Sequence, residues 1–355
     1  MNRYKALIRY EFKTLRWMVL YFAIVCLGIF GLFAEQMKSR RSSFITHTEI
    51  WQIQNLFTQE MNGVYGIFLI GSVVGLVLLV YLQFRDAKNI EVGRFLKALP
   101  LQGSQLYVIR MGCGIVTYTV PFLVYSIGML YLRSYHGDWL QDYYSISMLQ
   151  TPIEAAESFG SIILLLGILY LVITAAYVAL LMMQYLISNR IFAIIVTAIM
   201  FFVPFYIAAI VGEFIRVEQF LTIPLAYGYM DTSLFESGLR GEMAQVCSIN
   251  LMGAKVLILL IIIVVSVAVG WIRSKQFKVE DQSKLIPEKF SRIIFVIVGT
   301  VCVALLPCYY VLVAIGSFAL DRGMTSGSVW ISMFVAGLIG YIVMYKIARI
   351  GCKEK

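Results

Sequence analysis

Residues 159–187 read FGSIILLLGILYLVITAAYVALLMMQYLI, and no Asp, Glu, Lys or Arg interrupts them. A helix crosses the bilayer hydrocarbon in about 20 residues, and one that is apolar on every side has no face to offer water. The stretch reads as a membrane span. Seven others share its character: 17–34, 64–84, 111–132, 191–212, 256–272, 293–320 and 327–345. Together the eight hold none of the 29 Lys and Arg or the 20 Asp and Glu, although they take up nearly half of the 355 residues. The composition agrees: 60% of the residues are hydrophobic and 14% charged, where soluble domains carry about 25% charged residues. The predicted fold is an all-α, polytopic transmembrane bundle of about eight spans. A single anchor bearing a soluble head is excluded, because the apolar blocks recur along the whole chain.

The basic residues predict an orientation. With the N-terminus inside, 21 of the Lys and Arg lie on the inner side and 8 on the outer, while the acidic residues divide 7 inside and 13 outside. Both termini are thus expected in the cytoplasm of a multi-pass plasma-membrane protein. The net charge of +9 reads as this asymmetry plus contact with anionic lipid, not as a nucleic-acid footprint. The first span follows a basic stretch but exceeds the usual signal-peptide core in length, and it reads as retained.

Several chemistries have no residues to carry them. No GxxxxGK[ST] is present, so ATP hydrolysis by this chain is not expected and no cofactor is assigned to it. His47 and His136 both fall in outer segments and read as solvated surface residues. Glu154 and Glu157 share a helix face but have no basic or histidine partner in sequence, and they read as an acidic first turn. The six cysteines form no CxxC pair and read as small apolar packing residues. Without a charge inside any span, proton relays are disfavoured, though sodium held by backbone carbonyls survives that test. A transporter built this way draws its energy from another subunit.

Two inner-surface elements stand out. In residues 3–16, RYKALIRYEFKTLR, Tyr4, Leu7, Ile8, Phe12 and Leu15 line one helical face and Lys5, Arg9, Lys13 and Arg16 the next. Such a segment, taken as 1–16, is an amphipathic interfacial helix. Glu11 falls within its apolar stripe: either it snorkels to water, or it pairs with a basic residue of a neighbouring inner element. Between spans two and three, Ile90, Val92, Phe95, Leu96 and Leu99 leave one side of a short helix apolar up to Pro100, which stops it.

The run Glu91-Val-Gly93-Arg94-Phe95-Leu96-Lys97-Ala-Leu99-Pro100, followed ten residues on by Arg110 at the start of a span, resembles the cytoplasmic segment of type-2 ATP-binding-cassette (ABC) transporter permeases. The basic N-terminal helix, the short turn Ser188-Asn189-Arg190 and an outer segment between spans five and six agree with that architecture. The sequence departs from the family in having Gly93-Arg94-Phe95 for the usual Gly-Thr-Glu, Gln102-Gly103 where a basic residue is usual, and two spans beyond six. The resemblance implies a six-span permease core over 17–272, a basic linker at 273–292 and an additional two-span hairpin with a cytoplasmic tail at 293–355.

It also implies a mechanism. The helix holding Glu91, Gly93, Arg94, Phe95, Leu96, Lys97, Leu99 and Pro100 would be a coupling helix seated on a separate cytoplasmic ABC ATPase subunit. ATP and Mg would be bound on that partner, a second permease copy or a related permease would complete the pathway, and the cargo would be exported across a bacterial cell membrane. An amphipathic peptide, an antibiotic or a lipid-like compound is the expected cargo class. The competing readings are an ATP-independent carrier or membrane scaffold and, further off, an intramembrane enzyme. On the outer side, Trp139, Tyr143 and Tyr144 read first as interfacial aromatics and second as substrate contacts, and Gly71-x-x-x-Gly75 as a close helix crossing.

Overall fold

The computed structural model describes residues 2–45, 56–85, 103–146, 158–199, 241–276, 285–286, 289–307 and 327–350. Every regular element among them is a helix. In chain order these are α1 (Asn2–Ile45), α2 (Leu56–Arg85), α3 (Gly103–Tyr135), α4 (Gly137–Ile146), α5 (Phe159–Leu186), α6 (Arg190–Ile199), α7 (Gly241–Gln276), α8 (Lys289–Ala304) and α9 (Gly327–Ala348). Helices are what this composition requires, because hydrocarbon offers no partner to a backbone N–H or C=O and each must be satisfied within its own segment.

Six of them, α1, α2, α3, α5, α7 and α9, are long and apolar enough to cross a membrane. By length and composition the chain is an all-helical, multi-pass membrane protein. The two remaining expected spans are described only in part, 191–212 by α6 and 293–320 by α8, and the rest of each lies outside the described residues.

The expected boundary at residue 16 is not a break. Helix α1 runs unbroken for 44 residues, a length of about 66 Å and roughly twice the hydrocarbon thickness. No Gly or Pro stands between Asn2 and Leu27 to interrupt it, so the basic amphipathic segment and the first span are one rod.

The chain divides into two compact units: Met1–Gln83, Ile109–Tyr177 and Met230–Ile263 in the first, and Phe84–Val108, Val178–Tyr229 and Val264–Lys355 in the second. In the first, α1 crosses α2 closely at the two expected glycines. A methyl at Gly71 would meet Val25 at 3.1 Å, and one at Gly75 would meet Tyr21 and Phe22 below 3 Å. The Tyr21 hydroxyl donates to the Gly71 carbonyl at 2.9 Å. Cys26 and Cys113 are buried, in keeping with their reading as packing residues.

At the far end of α1, helix α4 folds back on the bundle. Phe44 packs on Trp139 and Tyr143, and the Tyr144 hydroxyl accepts the N–H of Leu56, an otherwise orphaned donor at the start of α2. Trp139, Tyr143 and Tyr144 are all buried. They are core residues, not the interfacial aromatics the sequence led us to expect, because a short helix this rich in rings buries its apolar side on protein. His136 is corrected in the same way: it is buried, and its Nδ1 accepts the Trp139 indole N–H at 2.8 Å.

In the second unit α8 and α9 form a tight antiparallel-sequence pair whose crossing uses Gly299 against Met344 and Gly340 against Val303. A buried cluster of Met183, Ile187, Ala193, Val196, Ile286, Val296 and Ala348 ties this hairpin to the α5–α6 turn.

Candidate functional site

Four buried polar residues of the first unit converge at one place. Glu11 comes from α1, Gln83 from the end of α2, Arg110 from the start of α3 and Tyr177 from α5. All four are at most 3% exposed. The Arg110 Nε donates to Glu11 Oε1 at 3.1 Å. Gln83 Nε2 donates to the Arg110 backbone carbonyl at 2.9 Å, and the Tyr177 hydroxyl lies 3.1 Å from both that carbonyl and Gln83 Oε1. Four helices are thereby joined through a single residue, Arg110, by its side chain on one side and its carbonyl on the other.

Local sequence makes this geometry possible. The Arg110 carbonyl belongs to the turn of α3 capped by position 114, four residues on, where a side chain would cover it. Position 114 is glycine, and the Tyr177 ring occupies the space: a methyl there would collide with the Tyr177 hydroxyl. Glu11 is therefore paired with a basic residue of a neighbouring element, and the snorkelling alternative does not hold. A buried carboxylate with an unshared charge would cost several kcal/mol, and the guanidinium removes most of that cost.

The location gives the network its interest. Gln83 and Arg110 flank residues 84–109, so the two chain ends that lead into and out of that segment are hydrogen-bonded to each other. Glu91, Gly93, Arg94, Phe95, Leu96, Lys97, Leu99 and Pro100 themselves lie outside the described residues. Of the residues singled out in sequence, the structure places Glu11 and Arg110 together. Gln83 and Tyr177 were passed over as uncharged members of apolar spans. Their signal is that a polar side chain within a span needs a partner.

A second joint, in the second unit, surrounds the turn Ser188-Asn189-Arg190. Asn189 Oδ1 accepts the N–H groups of Ile191 and Phe192 at 3.0 and 3.1 Å, an N-cap that starts α6. Arg190 donates to the Arg85 carbonyl at 3.1 Å, and Gln184 to the Arg190 carbonyl at 3.2 Å. The N–H of Ser188 donates to the Leu285 carbonyl and that of Leu285 to the Ile350 carbonyl, both at 3.1 Å. The turn, the linker residues 285–286 and the end of α9 are thus stitched together by backbone.

Among the described residues no group of three or more His, Cys, Asp or Glu is arranged to hold a metal ion. Comparison with known proteins finds no match: no family model fits the sequence, and neither a curated protein nor a solved structure matches it. The class that fold and composition define is a multi-pass helical membrane protein, and its function has to be argued from the site.

Proposed function

We propose that the chain is the permease subunit of an ABC transporter, an exporter driven by ATP hydrolysed on a separate cytoplasmic subunit. The observation that carries this reading is the buried Glu11–Arg110–Gln83–Tyr177 network at the base of residues 84–109. A segment that receives force from a partner transmits it only if its two ends are fixed to the bundle, and here the flanking residues are bonded to each other, Arg110 also to Glu11 of α1 and both to Tyr177 of α5. The resemblance of residues 91–110 to the coupling segment of type-2 ABC permeases supplies the partner. Phe95, Leu96 and Leu99 would fill a groove on the ATPase while Arg94 and Lys97 fix register against acidic rim residues. ATP and Mg belong to that subunit, and a second permease copy or a related permease completes the pathway.

The test is co-purification of an ABC ATPase subunit with the chain, normalised to yield. Replacing Phe95 and Leu96 together with Asp should abolish association, since two charges would enter an apolar groove at a cost of several kcal/mol. Arg94→Ala should weaken it by about 1 kcal/mol, less at high salt. Full retention of the ATPase by the double variant would reject the coupling-helix reading and favour a carrier or scaffold that works without ATP.

A further inference from the structure

The last turns of α9 carry a feature that the permease reading does not use. Tyr341, Ile342, Tyr345, Lys346, Arg349 and Ile350 line an open groove of about 380 Å³. Tyr341 and Tyr345 stack with ring centroids 5.8 Å apart and planes 25° from parallel, and the Arg349 guanidinium carbon sits 4.4 Å from the Tyr345 ring centroid. Two cations, two phenol hydroxyls and two isoleucines therefore share one surface, and no acidic side chain is among the described residues that line it.

Position decides what such a surface suits. The groove occupies the end of the apolar run Ile331–Ala348, which is long enough to cross a membrane, so in a bilayer a span of this length would put the Tyr341 end towards the hydrocarbon and the Arg349 end at the headgroups. The helix is held in this register from behind. Ala348 and Met344 pack into the cluster with Met183, Ile187 and Val296, and the Ile350 carbonyl accepts the Leu285 N–H. The grooved side faces away from that support, with Tyr341, Ile342 and Ile350 at least half exposed.

We infer that this groove binds one anionic phospholipid, its phosphate held by Lys346 and Arg349 and its acyl chain lying along Ile342 and the tyrosine rings. Charge complementarity selects an anion, stacking on Tyr345 restrains the guanidinium before the lipid arrives, and the apolar wall selects a lipid over a soluble phosphate. The inference is independent of the permease reading and gives the two-span hairpin an anchoring site of its own.

The experiment is native mass spectrometry of the full-length chain, purified in mild detergent after exposure to equal amounts of phosphatidylglycerol and phosphatidylcholine. The wild type should retain one phosphatidylglycerol in preference to phosphatidylcholine. Lys346→Gln with Arg349→Gln should lower that retention about tenfold, whereas Lys346→Arg with Arg349→Lys should keep it. Lys38→Gln with Arg41→Gln removes the same charge from the exposed far end of α1 and should change nothing. Excess inorganic phosphate should fail to displace the lipid. Equal retention of the two lipids by the wild type overturns the proposal, and this comparison decides alone should the glutamine variant not purify. Equal loss in both double glutamine variants, or displacement by phosphate, overturns it too.

Discussion

At the scale of single residues the structure turns on Glu11 and Arg110, each almost wholly buried and 3.1 Å apart. Removing one partner of such a pair leaves the other charge buried, at a cost of about 3–5 kcal/mol, while replacing both with apolar side chains is often close to neutral. Glu11→Gln and Arg110→Met should each lower the melting temperature in detergent, and Glu11→Leu with Arg110→Met should recover most of the loss, as a double-mutant cycle on thermal unfolding would measure. If the chain is the permease proposed above, Glu11→Gln should also lower substrate-stimulated ATPase turnover of the assembled complex at equal membrane insertion. His136 offers a pH test. Burial, followed by the nearby Arg41 charge, holds its imidazole below the ordinary value of 6.5, and its Nδ1 must stay unprotonated to accept from Trp139. The folded state therefore binds this proton less readily than the unfolded one. Its stabilising contribution is complete above about 6.5 and is lost as pH falls towards the lowered folded value. Melting temperature followed from about pH 8 to about pH 5 should fall more steeply for the wild type than for His136→Gln.

Elements meet where a side chain is missing. Gly114 lets Tyr177 reach the carbonyl of Arg110, and Gly112, two residues away on the same helix, has nothing within 4 Å of its missing Cβ. Gly114→Ala should therefore destabilise the chain by about 1–3 kcal/mol through overpacking, whereas Gly112→Ala should be close to neutral. Tyr177→Ala combined with Gly114→Ala removes both the hydroxyl and the ring carbons that meet the methyl, and should cost less than the sum of the two single changes, which thermal unfolding of the wild type, the two single variants and the double variant would show. The buried ring cluster of α4 belongs to this scale as well. Its aromatics match a membrane-interface belt in sequence, and only contact with Phe44 and the start of α2 makes them core.

The whole molecule is governed by the segregation of charge. If the 21-to-8 division of basic residues sets the topology, a cysteine introduced at Lys88 should resist an impermeant thiol reagent in intact cells and react once the membrane is opened. One introduced at Lys38 should react from outside in both conditions. Labelling of the Lys88 site in intact cells would reverse the expected orientation and with it the proposed cytoplasmic placing of residues 84–109.

The helices and their approximate limits follow from sequence alone, because the exclusion of charge from hydrocarbon is a local rule that each residue obeys by itself. The five spans 17–34, 64–84, 111–132, 256–272 and 327–345 all fall inside helices of the structure, and 159–187 overruns its helix by one residue. Glu11 was also legible as an anomaly, since a carboxylate in an apolar stripe must find either water or a cation. Which of the two it finds is a question of tertiary structure. Arg110 lies 99 residues away, and Gln83, Gly114 and Tyr177 each have an ordinary local environment that gives no sign of the others. Hydrogen bonds between distant helices depend on the packing that brings them together, and periodicity within one helix carries no information about the helix beside it. The burial of His136 and the pairing of Glu11 were both decided in this way, by neighbours that the chain reaches only when folded.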